Sequence, residues 1–136
     1  MISNIDHIAI CVKNINESLS QYEKLGLHCT HQETVENQGV NVAFFPTNGT
    51  SIELIQPFES NKSLQSFLQK RGEGFHHIAF EVQNIETTLT DLKEKGVQLI
   101  NETPQKGSHG SKIAFIHPKA FGMLIELVEK GDFQNE

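Results

Sequence analysis

Two stretches of this chain, NIDHIAICV at residues 4–12 and EGFHHIAFEV at residues 73–82, are near copies, and that duplication constrains the fold more than any other feature. A shift of 70 residues lays Asp6-His7-Ile8-Ala9-Ile10-Cys11-Val12-Lys13-Asn14-Ile15 on His76-His77-Ile78-Ala79-Phe80-Glu81-Val82-Gln83-Asn84-Ile85, and Leu19 with Leu89 and Gly26 with Gly96 follow at the same offset. At an offset of 73, Ser51-Ile52-Glu53-Leu54-Ile55 falls on Leu124-Ile125-Glu126-Leu127-Val128. An internal repeat has to be found before any element is assigned, because each copy is one supersecondary unit. The two halves are therefore the same unit, with a loop three residues longer in the second.

Periodicity supplies the elements of each copy. Residues 5–12 are β-branched and apolar enough for a strand; Asn14 or Asn16 then caps a helix running through Leu19, Tyr22 and Leu25 to Gly26. Three short strands follow at 27–35, 40–46 and 50–56, with Asn48-Gly49 as a hairpin turn. The second copy predicts a strand at 75–82, a helix from Ile85 through Leu89 and Leu92 to Gly96, and strands near 97–101, 112–116 and 123–129. Between the copies, Leu64, Phe67 and Leu68 stand at helical spacing. The expected class is α+β, with two tandem βαβββ modules at about 1–58 and 74–131 and a linker helix at about 61–71.

Composition removes several functions. Seventeen acidic against eleven basic residues give a net charge of −6, and the basic residues do not cluster, so nucleic acid is not an expected partner. No apolar run reaches the ~18–20 residues that span a bilayer, and nothing resembles an export signal, so the expected location is the cytoplasm. Cys11 and Cys29 are too few for a disulfide framework or a four-cysteine zinc site.

The chemistry lies in the parity of the strands. Side chains alternate faces along a strand, so His7 shares a face with Ala9 and Cys11, and His77 with Ala79 and Glu81. Glu53 and Glu126 each face away from the apolar neighbours that flank them. Each copy thus offers an early histidine and a late glutamate on the less bulky face. Burying an unpaired carboxylate is costly, and a divalent ion accounts for all four groups at once. With a divalent ion, the two neutral imidazoles of His7 and His77 and the two carboxylates of Glu53 and Glu126 would make a neutral site suited to Co, Mn, Ni, Fe or Zn, with room for water or substrate. His76 faces the other way and is expected to be structural. His28 and His31, near a strand start, are expected to be solvated surface histidines. Ser108-His109-Gly110 is either the lining of a mouth or a flexible loop, and Pro118 marks a turn.

These residues resemble the vicinal oxygen chelate superfamily, and NIDHIAICV, SIELIQP, FLQKRGEGFHHIAFEV and especially KGSHGSKIAFIHPKAFGMLIELVE are similar to its methylmalonyl-CoA epimerase branch, over nearly the whole chain. The resemblance implies a curved mixed sheet around a metal-binding cup and His7, Glu53, His77 and Glu126 as ligands. It also implies an acyl-CoA thioester as substrate and a homodimer. It implies removal of the C2 proton of methylmalonyl-CoA on one face and its return on the other, with Glu126 as one base and Glu36 as the second. Three positions depart from the pattern. Glu53 stands where many epimerases carry Gln. Asn37 stands where the second base is expected, with Glu36 one residue earlier. The loop before the last strand is one residue shorter. Two rival readings share the architecture: a glyoxalase I-like lyase, which Glu53 favours, and a metal-free drug-binding protein of the bleomycin-resistance type. An extradiol dioxygenase fits less well, because a fourth ligand closes a position that its 2-His-1-carboxylate site leaves open.

Overall fold

The structure, a computed structural model, describes residues 2–131. It is an α+β fold whose described residues divide into two compact units, residues 7–76 and residues 2–6 together with 77–131. In the first, the end of β1 (Ile2–Cys11) runs parallel to β4 (Ser51–Pro57). β4 pairs antiparallel with β3 (Val40–Pro46), and β3 antiparallel with β2 (His31–Val35), in the order β2-β3-β4-β1. In the second, β5 (Gly74–Val82) is parallel to β8 (Leu124–Glu129), which pairs antiparallel with β7 (Lys112–Ile116), itself antiparallel to β6 (Gln105–Lys106), in the order β5-β8-β7-β6.

One helix covers one face of each sheet. α1 (Ile15–Glu23) sets Ile15, Leu19 and Tyr22 against Val12, Ala43, Phe45 and Leu54, with the Tyr22 ring stacked on Phe45 at 5.6 Å. α3 (Ile85–Glu94) sets Ile85, Leu89 and Leu92 against Val82, Ala114, Ile116, Ile125 and Leu127. The repeat extends to the helix starts. Asn14 and Asn84 are the N-caps, accepting from the amides of Glu17 and Thr87, each at 3.0 Å. The last strand of each copy supplies an acceptor for another first-turn amide: Gln56 Oε1 takes the Ile15 N–H at 2.8 Å, and Glu129 Oε1 takes that of Ile85 at 2.9 Å. On the other face of the first sheet, Leu68 of α2 (Lys62–Arg71) packs with Cys11, Val35, Val42, Phe44 and Ile55.

Two elements differ from expectation. The strand predicted near 97–101 forms only one isolated bridge, Leu99 to Ile116, and the strand that pairs with β7 is Gln105–Lys106. The cause is Asn101. Its Oδ1 accepts the Phe115 N–H at 2.8 Å, while Phe115 O accepts from both the Ile100 and Asn101 amides. A side chain thus takes the place of a ladder bond, and Pro104, which lacks an N–H, follows. The first helix also ends at Glu23 rather than Gly26, so Leu25 lies beyond it and is 75% exposed. Among the described residues, no helix is long and apolar enough to cross a membrane.

Candidate metal centre and proton-transfer groups

The parity argument has a direct structural counterpart in each sheet. In the first, Ala9 is level with Glu53 and Glu53 with Phe44, so these residues form one row on one face, and His7 stands two residues before Ala9 on the same side. His7 Nε2 lies 3.2 Å from Glu53 Oε1, and the Phe44 ring meets the imidazole edge-on, centroids 5.8 Å apart. In the second, Ala79, Glu126 and Phe115 make the equivalent row. His77 Nε2 lies 3.6 Å from Glu126 Oε1, and the Phe115 ring meets His77 edge-on at 5.3 Å. All four polar residues are buried, between 3% and 6% exposed. The aromatic flank was missed in the sequence, although Ala43-Phe44 and Ala114-Phe115 repeat at an offset of 71.

The donor chemistry fits a divalent ion. Two ligand atoms held at about 2.1 Å from one ion at tetrahedral or octahedral angles are roughly 3.0–3.4 Å apart. The His7–Glu53 separation falls in that range, and the His77–Glu126 separation is slightly wider. A divalent ion would offset the negative charge that each buried carboxylate carries.

His76 lies on the opposite side of β5, as expected. Its ring is edge-on to Phe67 at 4.9 Å, and Phe67 is covered by Arg71 at 5.7 Å. Glu36 and Asn37 occupy an exposed 3-10 turn, Glu36–Gln38, that follows β2. The turn is pinned. Asn61, the N-cap of α2, donates through Nδ2 to Gln38 O at 3.1 Å and Gly39 O at 3.2 Å, and Gly39 closes the turn at φ +68. The Ser108-His109-Gly110 segment is likewise a built turn, with Ser111 Oγ donating to Ser108 O at 2.7 Å and His109 at φ 56.

His31 keeps solvent contact, its side chain 33% exposed, but it is more than a loose surface histidine. It is the first residue of β2, level with Phe44, with its Nε2 2.8 Å from Glu33 Oε1, and both side chains are about one-third exposed. The strand starts later than predicted, at 31 rather than 27, but the odd-numbered positions 31, 33 and 35 share the inward face. Burial of Val35 in the core marks that face. His28 is exposed. Cys11 and Cys29 are free thiols; burial, with a smaller contribution from the Glu73 charge, pushes the Cys11 thiol up to about 11.

The sequence profile of the Glyoxalase/Bleomycin resistance protein/Dioxygenase superfamily matches residues 6–115. The chain is 46% identical over 138 residues to the uncharacterized protein YqjC of Bacillus subtilis, with 99% of each chain covered. It is 35% identical to the ethylmalonyl-CoA/methylmalonyl-CoA epimerase of Cereibacter sphaeroides, over 93% of this chain and 98% of that one. Among solved structures it is similar to a variant of Streptomyces coelicolor methylmalonyl-CoA epimerase in complex with 2-nitronate-propionyl-CoA, at a TM-score of 0.92 and 34% identity, covering 96% of this chain and 99% of that one.

Proposed function

Because the chain belongs to the glyoxalase/bleomycin resistance protein/dioxygenase superfamily, and is similar to methylmalonyl-CoA epimerases over nearly its full length, we propose that it is a metal-dependent epimerase interconverting (R)- and (S)-methylmalonyl-CoA. The observation that carries this reading is the buried imidazole–carboxylate pair that occurs twice, His7 with Glu53 and His77 with Glu126. These four residues would hold one divalent ion, which when bound supplies a Lewis acid for the thioester carbonyl, where negative charge builds up as the C2 proton leaves.

The chain's own groups handle the proton. Glu126 takes it from, or returns it to, one face of C2, and Glu36 is the carboxylate that the family resemblance offers for the opposite face. Phe44 and Phe115 stand edge-on to the two histidines and would restrict rotation of the imidazole rings. Each base contributes about 10²–10⁴-fold when correctly placed. The substrate is an acyl-CoA thioester, and the working form is a homodimer in the cytoplasm.

The test is exchange of the C2 proton of methylmalonyl-CoA in deuterated water. Faster exchange with cation-loaded protein than without it is the expected result, and equal rates end the proposal. Glu53 favours a second reading, a glyoxalase I-like lyase, since a carboxylate in that place is what the lyase resemblance asks for. Formation of lactoylglutathione from the methylglyoxal–glutathione adduct, with no exchange on methylmalonyl-CoA, would select it.

A further inference from the structure

The proposed substrate has two ends, and only the acyl end meets an ion. The other end is a nucleotide with a pyrophosphate and a third phosphate, joined to the sulfur by the pantetheine arm. About thirteen bonds separate the sulfur from the first phosphorus, and at the ~1.2 Å that each bond advances in an extended chain they span roughly 16 Å. We propose that Lys119 and Phe121, on the loop 117–123 between β7 and β8, hold the nucleotide end, the ammonium on a phosphate and the ring against the adenine; the inference rests on the epimerase reading and says how its substrate is recognised.

Three observations support it, all within the unit that contains residues 77–131. First, Lys93, Lys95, Lys112 and Lys130 each have a carboxylate partner, Glu102, Asp91, Glu129 and Asp6, whereas Lys119 is exposed and has none among the described residues. On a chain of net charge −6, a polyanion docks where an ammonium is not already neutralised. Second, Phe121 is 48% exposed, more than any other described phenylalanine, and Met123 close by is 40% exposed. One exposed apolar side chain alone carries no meaning, but an aromatic face two residues from an uncommitted cation is the combination that takes a base and its phosphate together. Third, the loop backbone is fixed. His117 N–H donates to Gln98 O at 3.0 Å, Lys119 N–H to His117 Nδ1 at 3.0 Å, and the Phe121 and Gly122 amides both donate to Pro118 O, at 3.2 and 2.8 Å. Gly122 completes the turn at φ +75. A loop ordered before the ligand arrives lowers the ordering cost of binding.

The reach agrees with the arm's length. His77, a proposed ligand, is level with Leu124 across the β5–β8 pairing. One interstrand spacing of about 4.8 Å and three residues of at most ~3.6 Å each keep the Phe121 Cα within about 16 Å of that of His77. The pantetheine arm spans that distance, so a thioester beside an ion on His77 brings the phosphates to the loop. No bond forms or breaks there; the loop only binds.

The experiment uses the intact, cation-loaded protein and compares methylmalonyl-CoA with methylmalonyl-pantetheine, the same thioester without phosphates or adenine. Lys119→Gln and Phe121→Ala should each raise KM for the CoA ester about tenfold with kcat unchanged, and should match the wild type on the pantetheine ester. Lys119→Arg should restore the low KM, and the Lys119→Gln defect should shrink as salt rises. Lys70→Gln, which removes an exposed charge from α2, should change neither constant. The inference is overturned, with the epimerase reading intact, if KM for the CoA ester is unchanged in either variant, if it rises equally for the two thioesters, or if Lys70→Gln raises it as much as Lys119→Gln does. A wild-type protein inactive on both esters ends the epimerase reading, and titration calorimetry with CoA then decides the loop separately. Binding that Lys119→Gln weakens about tenfold sustains the nucleotide site; equal affinity in the two proteins, or no binding, removes it.

Discussion

His76 and His77 are adjacent in β5 and face opposite ways, so single substitutions should separate their roles. His77 is 3% exposed and 3.6 Å from Glu126, whereas His76 rests on the Phe67 ring that Arg71 covers. His77→Ala should weaken cation binding by at least about 100-fold, since removing a ligand does more than removing its supporting hydrogen bond. His76→Ala should leave binding unchanged and lower stability by about 1 kcal/mol through the lost ring contact. Titration calorimetry with Co(II) or Zn(II) on both variants, with urea unfolding alongside, checks this, and equal loss of affinity in the two would refute the assignment. Cys11 allows a second test at this scale. Its thiol has an ordinary value of 9.0 and is raised to about 11 by burial, helped by Glu73. Between those values the unfolded chain has lost the proton and the folded chain has kept it. The unfolded state then binds fewer protons, so stability falls as pH rises. The contribution is complete below about pH 9 and gone above about pH 11, on the order of 2 kcal/mol in total. The stability gap between the wild type and Cys11→Ala in urea should narrow by that amount from about pH 8 to pH 11; a constant gap would show that the thiol does not titrate this way.

At the scale of elements, the repeat makes the helix starts comparable. Asn14 and Asn84 cap their helices in the same way, and Gln56 and Glu129 hold the same first-turn amide. Since Gln serves in the first copy, Glu129→Gln should lose the charge–dipole part, about 0.3–1 kcal/mol, together with the loose pairing to Lys112 at 3.9 Å, and Asn84→Ala should lose about 1 kcal/mol, both read as shifts in the urea midpoint. An Asn84→Ala variant as stable as wild type would mean that Glu129 alone satisfies the helix start. The same comparison shows what the sequence could convey. The strands bearing His7, Glu53, His77 and Glu126 were legible because alternation of small, apolar and polar residues fixes the face of each side chain, and a copy 70 or 73 residues away repeats it. The stretch 97–101 misled because its apolar residues look like a strand, while the contact that interrupts the ladder, Asn101 to Phe115, joins residues distant in sequence. His31 was hidden for a related reason. Its inward face depends on where β2 begins, and pairing with β3 sets that start. Phe44 and Phe115 were within reach, because their alignment follows from the same repeat.

At the scale of the whole molecule, duplication turns a binding question into a stability question. Each copy buries one carboxylate against one imidazole, and a bound cation, as proposed, would supply the counter-charge that a buried carboxylate needs. An ion that binds the folded chain and not the unfolded one stabilises it by RT ln(1 + [L]/Kd), about 2.7 kcal/mol at a free concentration one hundred times Kd. For a chain of this length that corresponds to a rise in Tm of roughly 5–10 °C. Protein stripped with a chelator and then given Co(II), Mn(II), Ni(II) or Zn(II) should show this rise in calorimetric scans, largest for the ion that binds most tightly. Ca(II), which prefers six to eight oxygen ligands, should produce almost none. The double variant His7→Ala, His77→Ala keeps the fold's apolar packing while losing both imidazoles, so its scans should not respond to any of these ions. If the double variant responds as the wild type does, the ions bind elsewhere on the chain and the two buried pairs are structural. If the wild type itself fails to respond, the pairs hold no ion.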